Sequence, residues 1–149
     1  MADLVTTISE TVTLNGSLRG SVNSVTTTGI NDVFERIVTC TASVVTTVAV
    51  FDTLPSTSPG AIDVDRTKYI RVTNLETEVD IELAVVTTNT NYQVTLTAGQ
   101  SHILCAGQAV ALGVDDTTPS FGTMENITSL QVKPTTAVTA RVEVFVGVE

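Results

Sequence analysis

His102 is the only histidine of the chain, so any acid–base or nucleophilic chemistry would start from it. Cys105 follows three residues later. In an extended strand an odd separation puts two side chains on opposite faces, which works against a local Cys–His pair. His102 therefore reads as a structural or surface residue. A zinc site wants about four clustered Cys, His or carboxylate ligands, and His102 with Cys40 and Cys105 does not offer them. Both cysteines sit in apolar, strand-like runs and read as buried free thiols. Spacing alone leaves a bridge between them open.

The acids fall into three groups. Asp63 with Asp65, and Asp115 with Asp116, could contribute to a calcium site. Calcium takes roughly six to eight oxygens and no EF-hand loop is present, so these read as solvated loop acids that aid turns. Glu76, Glu78, Asp80 and Glu82 form an acidic strip. It reads as a solvated sheet face, with a docking surface for a basic partner as the competing reading. A glycosidase would also use paired carboxylates, but it would want aromatic platforms, and Trp is absent. Gly99 and Gly107 flank turns, so no phosphate loop is expected. The sequons Asn15-Gly16-Ser17 and Asn126-Ile127-Thr128 read as coincidence. No nucleophile, base and orienting group can be assembled, so the expectation is a protein that is not an enzyme and needs no metal or cofactor.

The elements that must position these residues are strands. Thr and Val make up about a third of the chain. Both are β-branched and suit a pleated surface. The stretch from Lys68 to Leu104 organises the rest, with three alternating runs read as a meander. Within it Val79, Ile81, Leu83 and Val85 share one face, and Asp80 and Glu82 the other. Val33 to Ala42 places Phe34, Val38, Cys40 and Ala42 together, with Arg36 among the polar positions. Val44 to Phe51 is a further strand. Leu54 to Gly60, with Pro55 and Pro59, reads as an exposed loop. Asp63 to Arg66 leads into the meander. Ala98-Gly99-Gln100 is a tight turn, Ser101 to Cys105 a strand, and Ala106 to Gln108 a break. Val110, Leu112 and Val114 alternate as another strand. Asp115 to Gly122, with Pro119, is a second long loop. Ile127 to Lys133 is a strand ended by Pro134, and Val138 to Val148 is the cleanest alternation.

Residues 1 to about 30 differ from the rest. Leu4 to Leu14 alternates loosely, with a break near Ser9-Glu10, and Asn15-Gly16 is a strong hairpin signal. The return, Ser17 to Val25, is weak, and Thr26 to Gly29 reads as loop. This segment is expected to be an extended arm or edge hairpin that reaches a neighbour, with Leu4, Val5, Ile8, Val12 and Leu14 as its partner-binding residues. Residues 31–149 are expected to form an antiparallel β-sandwich of jelly-roll type, with about eight or nine strands at the turn spacing of such folds. Short connections argue for antiparallel pairing. The strand order is not readable.

The bulk properties exclude several classes. At 149 residues the chain suits one domain that is stable without disulfides or metal. Seven basic residues against sixteen acidic ones give a net charge of −9. That argues against nucleic acid and against an anionic membrane surface, and for solubility. The start of the chain shows no basic or apolar region of a signal peptide, and no run of about eighteen apolar residues exists.

Some pieces are familiar. The Thr73-Asn74-Leu75 step, the Leu96-Thr97-Ala98-Gly99-Gln100 turn with its apolar continuation, and the closing Ala140-Arg141-Val142-Glu143-Val144-Phe145 resemble small β-rich virion proteins of tailed bacteriophages. The resemblance covers residues 33 to 149. It implies a non-enzymatic structural role, above all that of a capsid decoration (cement) protein on the outer surface of the head, made in the host cytoplasm. It also implies homo-oligomers, a trimer by analogy, bound to the major capsid protein or other virion proteins. A neck, tail or fibre-associated protein is the alternative address. A carbohydrate-binding module is the alternative of another class, and Tyr69, Tyr92, Phe121 and Phe145 are its few aromatic candidates.

Overall fold

The computed structural model describes residues 1–54, 56–58, 60–109 and 123–149. The expectations placed on Pro55, Pro59, Val110, Leu112, Val114, Asp115, Asp116, Pro119, Phe121 and Gly122 lie outside the described residues.

Four strands precede the body: β1 (Ala2–Ser9), β2 (Val12–Leu14), β3 (Ser17–Arg19) and β4 (Val22–Ile30). They form a two-stranded ribbon, β1 on β4 and β2 on β3, belonging to neither large sheet. Asn15 and Gly16 both have positive φ, at 51° and 77°. That is the geometry which lets two residues turn a hairpin without splaying its strands. The ribbon breaks at Glu10-Thr11, where the Glu10 N–H donates to the Ser21 carbonyl at 2.9 Å. Thr26 to Gly29, expected as loop, is strand instead, with Val25, Thr26 and Thr27 opposite Thr6, Val5 and Leu4. Threonine is β-branched, and a run of it fits a paired strand even where one face is only half-buried.

The body is an antiparallel β-sandwich. Its long strands are β5 (Asp32–Cys40), β6 (Thr46–Asp52), β8 (Thr67–Asn74), β9 (Ile81–Thr87), β10 (Asn91–Leu96), β11 (Ser101–Leu104), β13 (Glu125–Pro134) and β14 (Ala140–Val148). Two short ones are β7 (Ile62–Asp63), at the edge beyond β6, and β12 (Gln108–Ala109), which pairs with the start of β13. One sheet has the order β11-β8-β14-β5, and the other β10-β9-β13-β6-β7. The pairing is nested: β5 with β14, β6 with β13, β8 with β11, and β9 with β10. A double-stranded ribbon folded over on itself in this way is a jelly roll.

Nested pairing corrects the meander. β8 and β9 lie in different sheets, as do β10 and β11, and only β9 and β10 make a hairpin. Each short connection arches between layers, because both neighbours must turn an apolar face inward. One pairing is not antiparallel: β7 runs parallel to β6.

The core lies between the sheets. Ile81, Leu83 and Val85 of β9 meet Val142, Val144 and Val146 of β14, with Ile70, Val72, Leu130 and Val132 beside them. Full burial of such a side chain contributes about 1.5–3 kcal/mol. Val138 precedes β14 and is exposed, so the buried row begins at Ala140. Asn74, at the end of β8, is fully buried. Its amide donates to the carbonyls of Val79 at 2.7 Å and Leu96 at 3.1 Å, and its side-chain oxygen accepts from the Glu76 N–H. One side chain thus holds the β8–β9 arch against the end of β10.

Candidate functional site

The sequence-level candidates for chemistry are separated or occupied. The His102 Nε2 and Tyr92 Oη lie 2.9 Å apart, and the two rings meet edge to face. They join β11 to β10 across the open seam between the sheets. Burial pushes the imidazole below its ordinary value of 6.5, and burial raises the Tyr92 phenol. The fold therefore favours neutral His102. Its contribution to stability is full above pH 6.5 and is lost as pH falls through the lowered value. Unfolding measured from pH 7.5 down to 5 is expected to show this loss, and His102→Gln should flatten that part of the curve. A curve of unchanged shape in the variant would contradict it.

Cys40 is buried, and burial pushes its thiol up. Cys105 is exposed, contrary to the expectation of two buried thiols. β11 ends at Leu104, so Cys105 sits in the bend beyond the pairing that buries its neighbours. Asp63 is a turn acid: Oδ1 accepts from the N–H groups of Asp65 and Arg66. Asp65 accepts from the Asn126 amide. Among the described residues no three His, Cys, Asp or Glu side chains gather at one point. Three of the four acids of the strip, Glu76, Asp80 and Glu82, have local partners, and Glu78 is exposed. Glu76 binds Arg141, whose backbone N–H and guanidinium hold the carboxyl below the usual range. Asp80 accepts from the Ala98 N–H, and Glu82 faces Lys133 at 3.7 Å. Sequence reasoning missed Glu125. Its carboxylate takes Thr87 Oγ1 at 2.6 Å and Asn89 Nδ2 at 2.7 Å, which fixes the β9–β10 turn.

The ribbon is the unusual surface. Val5, Ile8, Val12, Leu14, Leu18, Val22 and Val25 are all exposed, from 48% for Ile8 to 75% for Leu18. Monomers seldom gather so much apolar surface on one element. A lone two-stranded hairpin is also marginal in water. Residues directly opposite in an antiparallel pair share a face. Leu4, Thr6 and Ile8 thus lie with Thr27 and Val25, while Val5, Thr7 and Ser9 lie with Thr26, Ser24 and Val22. Near the tip, Val12, Leu14, Ser17 and Arg19 form one face and Thr13 and Leu18 the other.

Four of the five expected contact residues, Val5, Ile8, Val12 and Leu14, are exposed; Leu4 is half-buried on the protein's own body. Its seat is Gly147, the one position on the outer side of β14 without a side chain. A Cβ there would lie 3.4 Å from Ile30 Cδ1 and 3.5 Å from Leu4 Cδ2. Beyond this seat the ribbon stands over the outer face of the sheet. A cleft of about 370 Å³ remains between Leu4–Ile8 and Tyr69, Arg71, Ser101, Ile103 and Phe145. Arg71 is held there by Glu143 at 2.6 Å and by Thr73 Oγ1. No β5 residue lines the cleft. The ribbon therefore crosses from β14 towards β11.

No family model, curated protein or solved structure matches this chain. The fold and the ribbon are thus the observations available for a functional reading.

Proposed function

We propose that this is a structural virion protein of a tailed bacteriophage, a capsid decoration (cement) protein held on the outside of the head by its N-terminal ribbon. The ribbon carries the reading. Its exposed apolar residues and unpaired strand edges, among the described residues, suit strand addition to the major capsid protein or another virion protein. The jelly-roll body would be the rigid block presented outward, and its acidic surface suits a position away from packaged DNA. The sugar-binding alternative gains nothing from the aromatics described: Tyr69 is buried edge to face against Phe145, and Tyr92 is engaged by His102.

Electron microscopy of the virion tests this. The expected result is density for a two-sheet body at symmetry-related positions on the head exterior. Density confined to the neck, tail or fibres would move the protein to the alternative address. Its absence from the virion would overturn the reading.

A further inference from the structure

Five of the seven cations of this chain are paired within it. Arg66 pairs with Asp63, Lys68 with Glu149, Arg71 with Glu143, Lys133 with Glu82 and Arg141 with Glu76. Of the remaining cations, Arg36 lies 5.0 Å over the Phe34 ring. Arg19, near the ribbon tip, has no acidic partner among the described residues. It shares its face with exposed Val12 and Leu14, and it stands directly across from Val12. The ribbon carries only Asp3, Glu10 and Arg19 as charged side chains, one unit of the net −9. It is the part of an otherwise acidic molecule that can approach another copy with least repulsion.

The complementary surface is on the same outer face that the ribbon stands over, at the other edge of that sheet, where Val33, Glu35 and Ile37 of β5 pair with Gly147, Phe145 and Glu143 of β14. β5 is the edge strand of its sheet, and Phe34, Val38 and Cys40 turn inward. Val33, Glu35 and Ile37 therefore point outward. Val33 is 45% and Ile37 61% exposed, and Glu35 between them has no cation among the described residues. The two surfaces match in kind: two exposed aliphatics with a free cation, and two exposed aliphatics with a free anion. They match in scale as well, since alternate residues on a strand stand about 6.6 Å apart. They cannot meet within one molecule, because the ribbon leaves its seat at Gly147 away from β5.

We propose that the ribbon tip of one copy, through Val12, Leu14 and Arg19, docks on the outward side of β5 of a second copy, at Val33, Glu35 and Ile37. The contact is head to tail, so it repeats from copy to copy and closes into a ring where the rotation allows. The aliphatic pairs supply the burial. Arg19 on Glu35 sets the register and rejects other acidic surfaces, since an exposed ion pair contributes little by itself. The outer face of β1 with β4, carrying Val5 and Val22, stays free for a larger assembly.

Sedimentation velocity on the free full-length protein over a range of concentrations tests the contact without any shell. It can thus fail while the decoration reading holds, and the reverse. The wild type is expected to associate. Arg19→Glu and Glu35→Arg should each weaken association by about tenfold or more, and the double variant should restore most of it. Both positions are exposed, so all variants should keep the same circular dichroism spectrum. A wild type that stays monomeric, or a double variant no better than the singles, would overturn the proposal.

Discussion

Asn74→Ala is expected to lower stability by about 3 kcal/mol, one of the largest effects of any single polar replacement in the chain. Three hydrogen bonds end on this side chain, and the residue is fully buried. Removing it strands the buried carbonyl of Leu96 and the part-buried carbonyl of Val79. A buried group left without its partner costs about 1–3 kcal/mol. The cavity adds to that. For a domain of this length the loss corresponds to a midpoint drop on the order of 10 °C. Asn74→Asp should also be harmful, since it keeps an acceptor but loses both donated bonds. Asn91→Ala, at an exposed position on β10, is the control and should change little. Thermal unfolding of the three variants decides it: a change under about 1 kcal/mol for Asn74→Ala would mean that the arch is held by something else.

Asn74 also shows what was legible in the sequence. The alternation of Val142, Val144 and Val146 and of Ile81, Leu83 and Val85 gives the strands and their buried faces, because a strand repeats every two residues whatever it pairs with. Alternation carries no information about which strand is the neighbour. Reading Lys68 to Leu104 as a meander assumed that consecutive runs pair. In the structure β8 ends at Asn74, and the chain arches to the other sheet. The signal was an asparagine between apolar runs, a residue that can donate to two carbonyls and accept from an N–H at once. The ribbon was half legible. Asn15-Gly16 fixed its turn, and the break at Glu10-Thr11 fell where the alternation faltered. The return strand was missed at Thr26 to Gly29 because its half-buried positions are Thr27 and Gly29, so no apolar pattern marks it. Gly147 carried no sequence signal as a seat, since its meaning depends on Leu4 and Ile30 arriving from far along the chain.

Removing residues 1–30 is expected to abolish attachment while leaving the body folded. The core between the sheets contains no residue of the ribbon: it begins with Cys40 and runs to Val148. Of the ribbon's own residues only Ile30, at its root, is buried, and it lies outside that core. Truncation therefore exposes the outer side of β14 and β8 around Gly147 and Tyr69 but opens no interior void. The midpoint of unfolding should move by only a few degrees, roughly the effect of about 1 kcal/mol in a domain of this size. Attachment loses what the body does not supply. Apart from the ribbon and the Val33 and Ile37 pair on β5, the exposed aliphatics are scattered over separate turns and edges, such as Val44 and Val45, Leu54 and Val138. Scattered residues of that kind are normal on any surface, whereas seven on one narrow ribbon are not.

The most direct measurement is occupancy by electron microscopy of heads lacking the protein, incubated with either the full chain or residues 31–149. The full chain should fill its positions, and the shortened chain, folded by circular dichroism, should leave them empty at the same concentration. Equal filling by both would contradict the claim that a rigid sandwich is held in place by its N-terminal ribbon.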